Sequence, residues 1–143
     1  MRFWDSSALV PLLVTQAASP RCDAWLSEDG ALVISTLTIV ELASAIRRLA
    51  RERTLTERQA RQAEVRSDEL VRASHVVIDL EAIKAQALRL LRLHPLRAAD
   101  AMQLGAALEW ADGRPAGHHL VTFDERLALA ALREGFTVLP EPE

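Results

Sequence analysis

The chain has 143 residues, half of them hydrophobic and 26% charged, with a formal net charge of −3 and a single cysteine, Cys22. Such a length makes about one domain able to bury a core, and such a composition excludes a disordered tail. The charge balance excludes a global positive field that would draw in nucleic acid, and a lone cysteine excludes an internal disulfide, as fits a reducing cytoplasm.

In chain order, Arg2-Phe3-Trp4-Asp5 reads as a short first strand, and Ser6 and Ser7 supply caps for a brief helix through Leu13 with Pro11 in its first turn. Arg2 with the apolar run Ala8–Val14 faintly imitates an export signal. Asp5 interrupts it and the strand-plus-helix reading covers the same residues, so a cytoplasmic protein is expected. That run is also far short of the ~20 residues needed to cross a bilayer, so no membrane partner is expected.

Ser19-Pro20 starts a helix running to about Glu28. Ala31–Ser35, bounded by Asp29-Gly30, reads as a strand buried on both faces. A long helix is expected from Thr38 to about Arg53, with Ile39, Leu42, Ala43, Ile46 and Leu49 on its apolar face. Thr56-x-x-Gln59 opens another helix, sparsely apolar, to about Ala73.

Val76-Val77-Ile78 is a third strand, and Asp79 caps a helix over Glu81–Leu93. His94-Pro95 breaks the pattern before a small-residue helix from Ala98 to Trp110. Leu120-Val121-Thr122, a helix over Glu125–Glu134 with Gly135 as its cap, and Thr137-Val138-Leu139 complete the chain. Strands alternate with helices and no linker divides them. The expectation is therefore a single α/β domain over residues 1–143, with a central, mostly parallel sheet flanked by helices. The helical pair at about 38–73 is longer than a crossover requires and is the expected partner-binding or dimer region.

Four acids, Asp5, Glu41, Asp100 and Asp124, fall where strands hand over to helices. Each has a structural explanation. Asp5 and Asp124 can be N-caps, Glu41 can complete a capping box with Thr38, and Asp100 can face the positive end of its helix. Together they would lie on the edge formed by the strands' carboxyl ends, where ligands bind in open parallel sheets. Clustered carboxylate oxygens are hard ligands that suit Mg²⁺ or Mn²⁺. No Gly-rich phosphate loop, Cys-x-x-Cys or Ser-His-Asp order competes with them. A haloacid-dehalogenase-like phosphatase would need an aspartate where Ser7 stands, and a receiver domain a lysine after a late strand, whereas Lys84 is mid-helix.

The blocks around these acids resemble the PIN-domain ribonucleases, in particular VapC-type toxins of toxin–antitoxin pairs. The matching segments are Asp5–Leu9, Ser35–Leu42, Leu96–Leu104 and Val121–Leu127, followed by Ala130–Gly135 and a strand. The resemblance implies that Asp5, Glu41, Asp100 and Asp124 bind metal and carry catalysis, with Asp5 and Asp100 foremost as direct ligands. Glu41 and Asp124 would complete the site, bind a second ion or orient the attacking water. It makes Ser6 and Thr122 supporting donors, Mg²⁺ the cofactor with Mn²⁺ as a substitute, and RNA the substrate, with Arg97 as a candidate phosphate contact. It also implies a homodimer and a cognate antitoxin, whose acids would meet arginines such as Arg47 or Arg51. Alternative expectations are a PIN nuclease of RNA processing outside a toxin–antitoxin system, or a catalytically silent PIN-like binding module.

Overall fold

The computed structural model describes residues 1–143, in which two helices follow each of the first three strands and one follows the fourth. Strand β1 (Arg2–Trp4) leads to helices α1 (Ser6–Leu13) and α2 (Ser19–Glu28), then β2 (Leu32–Ser35). Helices α3 (Thr36–Arg51) and α4 (Glu57–Ala73) precede β3 (His75–Val77), and α5 (Leu80–Leu93) and α6 (Ala98–Trp110) precede β4 (His119–Val121). Helix α7 (Glu125–Glu134) and β5 (Thr137–Leu139) close the domain. All neighbouring strands are parallel in the order β3-β2-β1-β4-β5, with β1 central. Phe3 is in register with Val33 on one side and Leu120 on the other.

The alternation of side chains along β1, β2 and β4 divides the core in two. Phe3, Val33 and Leu120 join α5, α6 and α7 in one cluster, and Trp4, Ile34 and Val121 join α1, α3 and α4 in the other. Both faces of the sheet are therefore apolar and covered, which is why these strands read as continuous hydrophobic runs. No helix is long and apolar enough to cross a membrane.

Several boundaries differ from the sequence expectation for reasons of capping. The α3 helix begins at Thr36, because the Ser35 hydroxyl takes the Leu37 N–H at 2.9 Å while Thr38 Oγ1 takes the Ser35 N–H at 3.1 Å. The capping box is thus Ser35–Thr38, not Thr38–Glu41, and Glu41 is released from helix initiation. The buried stripe of α3 is Thr38, Leu42, Ala45 and Ile46, spaced i, i+4, i+7, i+8, whereas Ile39 and Ala43 are exposed. Asp5, not a serine, caps α1, which puts Pro11 beyond the first turn and costs the bond its N–H would give Ser7. The caps expected from Thr56, Asp79, Asp124 and Gly135 are present.

The helical pair α3 and α4 pack on each other, tied by Arg47, which reaches Glu57 at 2.9 Å and Glu64 at 2.5 Å. Arg47 is therefore already paired within the fold, whereas Arg51 is in no ion pair.

Helices α5 and α6 cross at Gly105. A Cβ there would lie 2.8 Å from the Ile83 carbonyl oxygen, a backbone atom that cannot swing away. Helix propensity alone would make Gly105→Ala stabilising by about 1 kcal/mol. The clash reverses the sign, and an overall loss of about 1–3 kcal/mol is expected in urea denaturation. A variant as stable as the parent would refute the close crossing.

A candidate acidic metal centre at the carboxyl edge of the sheet

Parallel strands place Trp4, Ser35 and Val121 at one edge, and the residues immediately after them inherit that edge. Asp5 follows β1 and Asp124 belongs to the turn after β4. Glu41 sits in the second turn of α3, and Asp100 in the first turn of α6, which packs against β2 and α3. All four sequence-predicted acids thus reach one region.

Asp5 is only 5% exposed. Its Oδ2 accepts three hydrogen bonds, from Ser7 Oγ at 2.6 Å, Thr122 Oγ1 at 2.9 Å and the Ser7 N–H at 3.3 Å, while Oδ1 has none. Thr122, placed beside the acids by the sequence, donates to Asp5 in the structure. The supporting role expected of Ser6 falls to Ser7, because the helical turn after Asp5 aims the second serine back at the carboxylate, and Ser6 offers only its backbone. Glu41 Oε1 accepts from Gln103 Nε2, and the Gln103 amide is in turn held by Thr38 Oγ1. Asp124 Oδ1 accepts the Leu127 N–H at 2.9 Å as a helix cap. In each of these three acids one oxygen is anchored and the other is left for a ligand.

The electrostatics record the crowding. Burial pushes the Asp5 carboxyl above its ordinary range, against the pull of the Ser7 and Thr122 hydrogen bonds. Burial also raises Glu41, with the charges of Asp5 and Asp100 adding to it and Gln103 opposing. Asp100 is raised by burial first and then by the charges of Asp124 and Asp5, with Arg97 opposing. Asp100 therefore interacts with all three other acids, Asp5 and Glu41 with two each, and Asp124 with Asp100 alone. No three Asp, Glu, His or Cys side chains already stand as a metal-holding group.

This donor set fits a hard divalent cation. It consists of carboxylate oxygens only, each of three with one free oxygen, in a place where burial and then neighbouring negative charge favour proton uptake. Beside it lies a cavity of about 540 Å³ lined by Arg97, Phe123, Arg126, Asp100, Asp124 and neighbours. Sequence reasoning had Arg97 but missed Ser7, Gln103, Phe123 and Arg126. A helical period would have found Gln103, three residues after Asp100 on the same face, and chain adjacency to Asp124 would have found Phe123.

Comparison with known proteins agrees with this architecture. The PIN domain family matches residues 2–132. Ribonuclease VapC45 of Mycobacterium tuberculosis is 33% identical over 138 residues, which cover 96% of this chain and 94% of that protein. Among solved structures, Mycobacterium tuberculosis VapC20, described as a sarcin–ricin loop cleaving toxin, superposes with a TM-score of 0.67 at 19% identity, covering 91% of this chain and 95% of the other. A toxin–antitoxin complex from Klebsiella pneumoniae gives 0.65 at 16% identity, with 90% and 91% covered. These structural likenesses speak to the fold, and the sequence matches to descent. The chain belongs to the PIN domain family.

Proposed function

We propose that this protein is the toxin of a toxin–antitoxin pair, an endoribonuclease that hydrolyses RNA phosphodiesters with a divalent cation. The observation that carries the reading is near-full-length relationship to a named VapC ribonuclease, in a chain whose four acids meet at one sheet edge. Asp5 and Asp100 would hold Mg²⁺, or Mn²⁺ in its place, with Glu41 and Asp124 completing the set. Bound there, the cation would supply Lewis acidity to the phosphate and a lower pKa to water.

The chain's own residues then divide the remaining work. Ser7 and Thr122 fix Asp5 by Oδ2, so that its Oδ1 has one direction to face. Gln103 holds Glu41 by Oε1 and leaves Oε2 to accept a proton or orient water. Arg97 and Arg126 line the adjoining cavity, where a phosphate would otherwise meet only carboxylates.

The antitoxin partner is assigned to the α3–α4 pair, where Arg51 is exposed and outside any ion pair while Arg47 is already engaged. A homodimer and a cytoplasmic location, in keeping with one buried unpaired thiol, complete the proposal. The test is cleavage of total RNA by purified, antitoxin-free protein. EDTA should abolish it and added Mg²⁺ or Mn²⁺ restore it. Cleavage that persists in EDTA would sink the metal-dependent reading.

A further inference from the structure

Phe123 occupies an unusual place, between Thr122 and Asp124 and thus between two residues of the acidic centre. Its N–H donates to Ser7 Oγ at 2.9 Å, the same hydroxyl that donates to Asp5, so the ring is registered to the buried acid through one atom. Phe123 lines the 540 Å³ cavity that holds Asp100, Asp124, Arg97 and Arg126. It also lines a second, more apolar cavity of about 400 Å³ with Leu129, Leu132, Val138 and Pro140. The ring is a partly exposed wall between a charged chamber and an apolar one.

Trp25 of α2 backs it at 5.9 Å between ring centroids, and the Arg21 guanidinium lies 5.2 Å from the Trp25 centroid and 6.0 Å from that of Phe123. Arg21, Arg97 and Arg126 are all exposed, and the arginines in ion pairs are others, namely Arg2, Arg47 and Arg89. In a chain with net charge −3, Arg97 and Arg126 thus stand outside any ion pair on the cavity wall, interleaved with Asp100, Asp124 and Glu125, while Arg21 covers the far side of the aromatic pair.

A phosphodiester substrate carries a base on each side of the bond to be cut. An aromatic wall next to a charged chamber offers one of those bases a π surface, and Arg97 and Arg126 on the same lining offer the flanking phosphates charge. A base within a duplex is stacked on its neighbours and paired, and cannot present its face to such a wall without being extruded. We propose that Phe123, backed by Trp25 and rimmed by Arg97 and Arg126, is a stacking subsite for one unpaired base beside the scissile phosphate. The inference rests on the ribonuclease reading and deepens it. Alternatively Phe123 is only packing against the core around Trp25, and the test separates the two because leucine can pack but cannot stack.

The experiment measures binding of a fluorescein end-labelled single-stranded RNA oligonucleotide by anisotropy, with the non-cleaving Asp5→Asn protein in Mg²⁺, and cleavage with the parent. Base–aromatic stacking corresponds to about 5- to 150-fold in affinity. Phe123→Leu should weaken binding and raise KM within that range, and Phe123→Tyr should retain both. Mn²⁺ affinity by calorimetry and the thermal midpoint of Phe123→Leu should stay close to the parent's, which shows that the acids and the fold are intact. Phe123→Leu binding RNA as well as the parent would overturn the subsite, as would duplex RNA of the same sequence competing as well as the single strand. Absence of cleavage by the parent protein is a different failure, that of the ribonuclease reading itself.

Discussion

Asp5→Asn should abolish RNA cleavage and at the same time stabilise the metal-free protein. The loss should reach about a thousandfold or more, because a cation's stabilisation of developing phosphate charge is worth several kcal/mol and each ~1.4 kcal/mol is a factor of ten in rate. The gain comes from removing a buried negative charge that faces two others, those of Glu41 and Asp100. Asparagine keeps an oxygen for Ser7 Oγ, Thr122 Oγ1 and the Ser7 N–H, so nothing that holds the turn is lost. Its amide would also turn a donor toward the remaining acids. Relief on the order of 1 kcal/mol is the usual scale of a stabilising substitution at a site strained for function. Activity gels and urea denaturation in EDTA measure the two effects on one preparation. A destabilised Asp5→Asn protein would reassign Asp5 to a structural role, and an active one would remove it from the centre.

The metal-free protein should also become less stable as pH rises from mildly acidic to neutral, and a divalent cation should cancel that loss. Asp5, Glu41 and Asp100 all have carboxyls raised in the fold, by burial first and then by neighbouring charges, those of Asp5 and Asp100 for Glu41 and those of Asp124 and Asp5 for Asp100. Just above the ordinary carboxylate value of about 4, the folded chain still holds protons there that the unfolded chain has released. The native state then binds more protons than the unfolded one, and stability falls with pH across that window. Three other carboxylates act in the opposite direction.

Asp29 is lowered chiefly by the amino terminus, and Glu57 by Arg47. Glu134 is lowered because its bonds to Arg89 and His94 together outweigh a larger single effect of burial. Their contribution is present above the ordinary value and is lost as pH falls through their depressed ones. The stability of the metal-free protein should therefore peak in mild acid. Added Mn²⁺ should raise the midpoint at neutral pH and much less in acid, because the ion competes with the same protons. Thermal unfolding in EDTA and in Mn²⁺ at the two pH values checks this. A midpoint that rises toward neutral pH in EDTA, with no response to Mn²⁺, would show that the acids are not a cation site.

The four acids and the alternation of strand and helix were legible in the chain. Their signals are local or topological: Asp124 before Glu125-Arg126-Leu127 is a cap wherever it occurs, and Val33-Ile34 is apolar on both faces whatever packs there. Those patterns depend on a residue's near neighbours and on the handedness of parallel crossovers, which any such chain obeys.

Only the tertiary structure decided which partners the acids take. Ser7 rather than Ser6 serves Asp5 because the turn after β1 sets the direction of each hydroxyl. Glu41 is free of helix capping because Ser35 and Thr38 cap each other, and it finds Gln103 across 62 residues of chain. Arg47 was legible as a cation but not as one already claimed by Glu57 and Glu64. Phe123, unremarkable between a threonine and an aspartate, becomes a wall of the centre only when α2 brings Trp25 against it. Residue type and spacing state what chemistry a chain can carry. Contacts between distant segments choose which oxygen, which hydroxyl and which ring face are left to carry it, and those depend on packing that no local window contains.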